Sequence, residues 1–210
     1  PTKPNQEHAL ERFQSDSTQR DSQFTLPEIL TEAYEMRDVI TSVFDKGSFI
    51  ELWADDKMPL IVGVATLGGK AIGVIADNPS IESGAQNVDS IQKFTNLNRI
   101  CERFKLPIIE INDSPAFRPG EEQEHAGIQG VGGRSIREEC LSDIPKIAVT
   151  LRQNYGGRLI HANLITLGPD RKGILMKGAQ VGVMGAKGAV GVLYAKKLVA
   201  LPEEERAAAE

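Results

Sequence analysis

Leu60-Ile-Val-Gly-Val-Ala-Thr-Leu67, then Gly68-Gly69-Lys70, then Ala71-Ile-Gly-Val-Ile-Ala76 is the stretch that decides the fold. Two runs rich in β-branched residues, joined by a Gly-Gly pair, predict a β-hairpin. Asp77-Asn78-Pro79 closes its second strand. Downstream the period changes. Ile91, Phe94, Leu97, Ile100, Cys101 and Phe104 recur every three or four residues, which predicts an amphipathic helix over 89–104. Residues 106–111 read as a short buried strand and 113–120 as a loop rich in Pro and Gly. A helix follows over 124–141, weakened by Gly130, Gly132 and Gly133, and then a strand over 145–151. Tyr155-Gly156-Gly157 opens a loop or a helix. Residues 179–184 read as a strand, 190–198 as a helix and 202–210 as a charged helical tail. Upstream, 34–44 has helical spacing, Gly47 stops it, and 49–52 looks extended. The first 30 residues read as an arm or linker, with one helical stripe of Ala9, Leu10 and Phe13. Strands and helices alternating in this order predict an α/β domain with right-handed crossovers. The expected organisation is an N-terminal arm over 1–30 and a domain over 31–210.

The composition narrows the function classes. The chain has 210 residues, 40% of them hydrophobic and 25% charged, which suits one globular core. A net charge of −5 and a pI near 5.4 disfavour a nucleic-acid platform. No apolar run approaches the roughly 20 residues that span a bilayer, so no membrane is expected. Residues 1–12 are polar and lack the apolar centre of a secretory signal. The two cysteines, Cys101 and Cys140, form no CxxC pair, so a zinc ribbon is excluded and no metal is expected. Their sparing use suits a reducing compartment: cytoplasmic, or the mitochondrial matrix in a eukaryote.

Several motifs fail their tests. Gly69-Lys70-Ala71 lacks the Ser or Thr of a Walker loop, and it lies in the hairpin. There is no Gly-x-Ser-x-Gly elbow and no His-Glu-x-x-His. Met176-Lys177-Gly178 lacks the second Met of a biotin-attachment tripeptide. His8, His125 and His161 read as a solvated, a helix-start and a surface or interface residue. Three places carry chemistry instead. Tyr155-Gly156-Gly157-Arg158 follows a strand, so its glycines are either a tight turn or an oxyanion hole of main-chain N–H groups. Gly182, Gly185, Gly188 and Gly191 recur every third residue, either for close packing or to present amides to an anion or carbonyl. The loop from Asp113 through Pro115 and Phe117 to Gly120 stands at a strand's carboxyl end, where open α/β sheets place ligands.

Read together, the segments resemble the C-terminal domain of the carboxyltransferase (β) subunit of biotin-dependent acyl-CoA carboxylases, with propionyl-CoA carboxylase β and its decarboxylase relatives as kin. Tyr34-Glu-Met-Arg-Asp-Val-Ile40 and Asp45-Lys-Gly-Ser-Phe49 resemble its opening helix. Ile61 to Lys70 and Ala76 to Pro79 resemble its first hairpin. The most specific match is Asp113-Ser-Pro-Ala-Phe-Arg-Pro-Gly-Glu-Glu-Gln-Glu-His-Ala-Gly-Ile128. Pro145-Lys146, Tyr155-Gly156-Gly157 and Val183-Met-Gly-Ala-Lys-Gly-Ala-Val190 complete the series in order.

The resemblance implies a crotonase-like fold built of β-β-α superhelical units, with the last stretch of the family's domain missing. It implies transfer of a carboxyl group between carboxybiotin and the α-carbon of an acyl thioester. Backbone amides of Gly157 and Arg158 would be the oxyanion donors. Tyr155, Gly156, Met184, Gly185 and Ala186 would line the biotin site, Ile160 would help select the acyl group, and Asp113, Pro115 and Phe117 would line the loop side. The implied cofactors are biotin on a separate carrier and coenzyme A as part of the substrate. The implied partners are an N-terminal carboxyltransferase domain or subunit, a biotin carboxyl carrier, a biotin carboxylase, the acyl-CoA or acyl-carrier thioester, and further copies in a homo-oligomer. Arg158 stands where the family usually has Ala, so a large cation is expected beside the biotin site. A second reading is a malonyl-, methylmalonyl- or glutaconyl-type decarboxylase of the same architecture, and Arg158 opens a biotin-independent form of it in which the cation binds the leaving carboxylate. A third reading is a non-catalytic assembly or carrier-binding module.

Overall fold

The computed structural model describes residues 24–30, 32–54, 58–162 and 170–194. In chain order these form α1 (Met36–Val43), β1 (Ile50–Leu52), β2 (Leu60–Leu67), β3 (Lys70–Asp77), α2 (Val88–Phe104) and β4 (Ile108–Ser114). Then come α3 (Glu121–His125), α4 (Ile128–Leu141), β5 (Lys146–Tyr155), α5 (Gly156–Ala162), β6 (Arg171–Leu175), β7 (Gln180–Gly182) and α6 (Ala186–Leu193). The arm stripe at 9–13, the last residues of the expected 190–198 helix and the charged tail lie outside the described residues.

The hairpin forms as its sequence predicts. β2 and β3 pair antiparallel over their whole length, from Leu60 opposite Asp77 to Leu67 opposite Lys70. Gly68 and Gly69 make the two-residue turn at φ 60° and 75°, the left-handed pair that matches strand twist. Asp45 fastens it, accepting hydrogen bonds from the N–H groups of Gly68 at 3.0 Å and Gly69 at 2.8 Å. The sheet order is β1-β2-β3-β4-β5-β6, antiparallel up to β3 and parallel from β3 to β6, with β7 also parallel to the far end of β5.

Alternation along the strands fills both faces. Ile72, Val74 and Ala76 of β3 join Met36, Val39 and Ile40 of α1 on one side. Ile75 faces the other way, with Phe94, Leu97 and Cys101 of α2. Helix α2 begins at a capping box in which Asn87 and Ser90 satisfy each other's N–H groups. A third cluster, Ile91, Ile128 and Val131, joins α2 to α4.

Five element expectations change, the first being β4, which runs on past 111 to Ser114 into the expected loop. The expected 124–141 helix is two helices, α3 and α4, divided at Gly127 with φ 79°. The last helix starts at Ala186 rather than 190. β5 continues past 151 to Tyr155, because β7 pairs with its final residues. β6 was not expected: Arg171-Lys-Gly-Ile-Leu175 has no apolar alternation and owes its form to pairing with β5. Among the described residues no helix is long and apolar enough to cross a membrane.

Candidate active site

Strand β5 runs into helix α5 without a loop. Gly156 makes the change at φ 58°. Helix α5 starts here, so the N–H groups of Gly156, Gly157 and Arg158 have no carbonyl four residues back within the helix. They lie at the carboxyl end of a parallel strand, and the two glycines are half-buried. These N–H groups therefore stand outside the helix ladder, as the first donors of any helix do.

Neighbouring segments close around this turn. Phe117 is placed by two main-chain bonds that flank it, Gln86 N–H to the Ala116 carbonyl at 3.0 Å and Arg118 N–H to the Gln86 carbonyl at 2.7 Å. Its ring lies against Gly157 so closely that a Cβ there would stand 2.7 Å from a ring carbon. A Cβ on Gly156 would stand 3.3 Å from the Val183 carbonyl. Tyr155 is buried, donates to Gln180 Oε1 at 2.8 Å, and its ring is 3.6 Å from where a Cβ of Gly185 would be. So Tyr155, Gly156, Gly157, Phe117 and Gly185 are brought together. Met184 and Ala186 flank them on the solvent side. Ile160, 54% exposed, points outward from α5. Pro115 is half-buried just beyond β4.

Two expectations are corrected. Asp113 is not in a loop: it is within β4 and buried, accepting from Tyr34 Oη at 2.6 Å and Arg152 Nε at 2.7 Å. Arg152 also donates to the carbonyls of Ile29 and Glu32, so this pair ties the segment before α1 onto the sheet. The Arg158 side chain does not stand in the open beside the Gly156–Gly157 turn. It is 1% exposed, donating from Nε to Asp77 Oδ1 at 2.9 Å and from Nη1 to Glu110 Oε2 at 3.4 Å. A buried cation needs partners, and these two carboxylates are its partners. The guanidinium is therefore not placed to bind a substrate carboxylate.

Sequence reasoning missed what lies beneath the turn. Burial raises Asp77 to about 6 against the pull of Arg158. Burial likewise raises Glu110 to about 7, again opposed by Arg158. The signal was available: Glu110 is the one charge in Ile108-Ile109-Glu110-Ile111, and a charge inside a buried strand demands a partner. His161 is buried rather than on a surface or interface. Thr95 gives its proton to the Ile91 carbonyl, so Ser135 donates to Thr95 at 2.8 Å and His161 Nε2–H donates to Ser135 at 2.7 Å. Burial holds this imidazole's pKa well below its usual value, aided by Arg158 and Lys146. His161 is a neutral anchor of α5 and not a base. His125 is exposed at the end of α3, and His8 lies outside the described residues.

Known proteins resemble this chain in sequence and fold. The family described as "Carboxyl transferase domain" matches residues 1–210. The biotin-dependent acetyl-/propionyl-coenzyme A carboxylase beta6 subunit of Mycobacterium tuberculosis is 33% identical over 204 residues, 97% of this chain and 43% of its own length. The methylmalonyl-CoA decarboxylase subunit alpha of Propionigenium modestum is 32% identical over 173 residues, 82% of this chain and 33% of that protein. A crystal structure of transcarboxylase 12S, described as a hexamer assembly with methylmalonyl-coenzyme A bound, superposes with a TM-score of 0.77 at 30% identity, covering 98% of this chain and 37% of that one. The crotonase-like fold expected from the sequence is the fold of this chain. The chain spans less than half the length of these relatives.

Proposed function

This chain belongs to the carboxyl transferase domain family, and we propose that it is the half of a carboxyltransferase that receives the carboxyl donor. The reaction moves a carboxyl group between carboxybiotin and the α-carbon of an acyl-CoA. Carboxybiotin, held on a separate carrier, supplies the activated carboxyl group. What supports a place for that cofactor is the half-buried main chain at Gly156 and Gly157, drawn close to Phe117 and the Val183 carbonyl, with exposed Met184 beside it as an apolar contact. Tyr155, Gly156, Met184, Gly185 and Ala186 hold the ring, and Ile160 faces the acyl group. Main-chain N–H groups of Gly157 and Arg158 point their positive ends at a carbonyl-type oxygen that gains charge. Such donors are preorganised and remain active across the pH range in which a histidine would titrate. The domain over 31–210 does this with a partner half, which brings most of the acyl-CoA site.

The observation that carries this reading is the junction itself: a half-buried Gly-Gly pair opening a helix whose first N–H groups have no carbonyl to bond within it. The test is carboxyl transfer by the complete enzyme, from carboxybiotin to acetyl-, propionyl- and related acyl-CoA. Transfer is expected, with kcat lowered about 10²-fold in Gly157→Ala, whose Cβ pushes the turn away from Phe117. No transfer to any acyl-CoA discards the reading. A decarboxylase is the second reading, favoured by the Propionigenium relative. Carbon dioxide release from methylmalonyl- or malonyl-CoA without ATP selects it.

A further inference from the structure

Arg158 enters the proposed site through its main-chain N–H, which leaves its side chain unexplained. That side chain is 1% exposed, and it crosses two strands. Nε donates to Asp77 at the end of β3, at 2.9 and 3.2 Å to the two oxygens, and Nη1 donates to Glu110 in β4 at 3.4 Å. The guanidinium carbon lies 5.5 Å from the ring centre of Phe94 on α2. Asp77 is itself held, accepting from Gln86 Nε2 at 3.0 Å and from the N–H of Asp113 at 3.1 Å. The other charges near the fork are Lys146 of β5 and Glu139 of α4, which pair with each other, and Asp113 of β4, which pairs with Arg152, while His161 of α5 is neutral. Above the fork, Phe117 bears on Gly157 and the Val183 carbonyl bears on Gly156. The helix start is thus held from beneath by ion pairs and at its sides by a ring and a carbonyl.

We propose that the Arg158 side chain is a positioning residue: by bridging Asp77 and Glu110 it locks the start of α5 so that the main-chain N–H groups of Gly157 and Arg158 keep their aim. One residue then both presents a donor and fixes it. The fork suits this task because a guanidinium binds two carboxylates in a fixed plane, and a lysine ammonium, a point charge on a flexible stem, does not. The inference rests on reading the turn as the oxyanion donor. A misplacement of about 1 Å in such a donor costs roughly 10²-fold in rate, so a small slackening of α5 is visible in kcat.

The experiment compares the wild-type complete enzyme with Arg158→Lys and Glu110→Gln, reading kcat, KM for the acyl-CoA, and Tm. Lysine keeps the charge and loses the bridge. Glutamine keeps the shape and weakens one arm without leaving a buried charge unpaired. Positioning predicts that kcat falls about 10- to 100-fold in Arg158→Lys and several-fold in Glu110→Gln, with KM within about twofold and Tm of Glu110→Gln not lowered. A merely structural role moves Tm and kcat together. Wild-type kcat in both variants, or kcat losses matched by loss of folded protein, overturns the proposal. Should Arg158→Lys not fold, Glu110→Gln alone decides it by the same split. A wild-type enzyme that transfers no carboxyl group overturns the parent reading, and the inference with it.

Discussion

Phe117 explains why two glycines stand where they do. Its ring is close to Gly157 of α5 and to Gly132 of α4, and a Cβ at either glycine would come within 2.7 Å of a ring carbon. Gly133, one residue on, has nothing within 4 Å. Neighbouring glycines in one helix therefore respond oppositely to alanine. Gly132→Ala is expected to cost about 1–3 kcal/mol through overpacking. Gly133→Ala is expected to add about 0.5–1 kcal/mol, because it restricts the unfolded chain and meets no atom. Urea midpoints of the two variants check both signs. In the sequence these glycines only weakened a helix, since the ring that separates them is 15 residues away along the chain. Arg158 was hidden for a similar reason: spacing places a residue on a turn but does not say that its side chain turns inward to Asp77. His161 yields a second expectation at this scale. Its folded pKa is depressed, so below about pH 6.5 the unfolded state binds the proton that the native state refuses. The stability it contributes is present above that pH and is lost on acidification, at up to about 1.4 kcal/mol per pH unit. In a pH series of urea melts from 7.5 to 5, wild type is expected to lose stability more steeply than His161→Gln; equal slopes would show that the imidazole titrates normally.

Among the elements, the hairpin was the most legible because local and tertiary signals agree. Gly-Gly supplies the left-handed turn, and eight matched pairs follow from it. The sequence did not show what locks that turn. Asp45, past the end of α1, spends its carboxylate on three donors: the N–H groups of Gly68 and Gly69 and the Thr66 hydroxyl at 2.8 Å. Asp45→Asn replaces one acceptor oxygen with a donor that faces donors. It is expected to cost about 1–3 kcal/mol, the usual penalty for leaving a buried hydrogen-bonding group unmatched. Thermal melts of the variant measure it, and hydrogen exchange at Gly68 and Gly69 should quicken. β6 is the opposite case. It carries two cations and a glycine, and it becomes a strand because β5 offers it an edge, from Lys146 opposite Arg171 to Thr150 opposite Leu175. An edge strand defined by its neighbour leaves little trace in its own pattern. The division of the 124–141 helix was masked because Gly127 is one of four glycines in that span, and only its φ of 79° marks it as the break.

At the scale of the molecule, apolar exposure is uneven. Ile174, Leu175, Met176, Val181, Val183, Met184, Val192, Leu193 and Tyr194 are all exposed, and they come from consecutive elements, β6, β7 and α6. Val183 is 82% exposed and Leu193 76%. Scattered apolar residues need no explanation, but a run of this kind is the sort of surface on which proteins associate. The same segment supplies Met184, Gly185 and Ala186 to the proposed site, so association and catalysis share a border. The carboxyltransferase reading calls for a second half, for which this surface is a candidate seat, and the composition alone gave no hint of where it lies. The expected outcome is concrete. In sedimentation experiments this chain should exceed its monomer mass. Val192→Glu with Leu193→Glu should shift it toward the monomer while changing stability by no more than about 0.5 kcal/mol, as exposed substitutions do. If the double variant instead keeps its mass and loses its fold, these side chains belong to the chain's own core. If it keeps both mass and fold, the association lies on another face, and the site around Gly157 is completed from elsewhere.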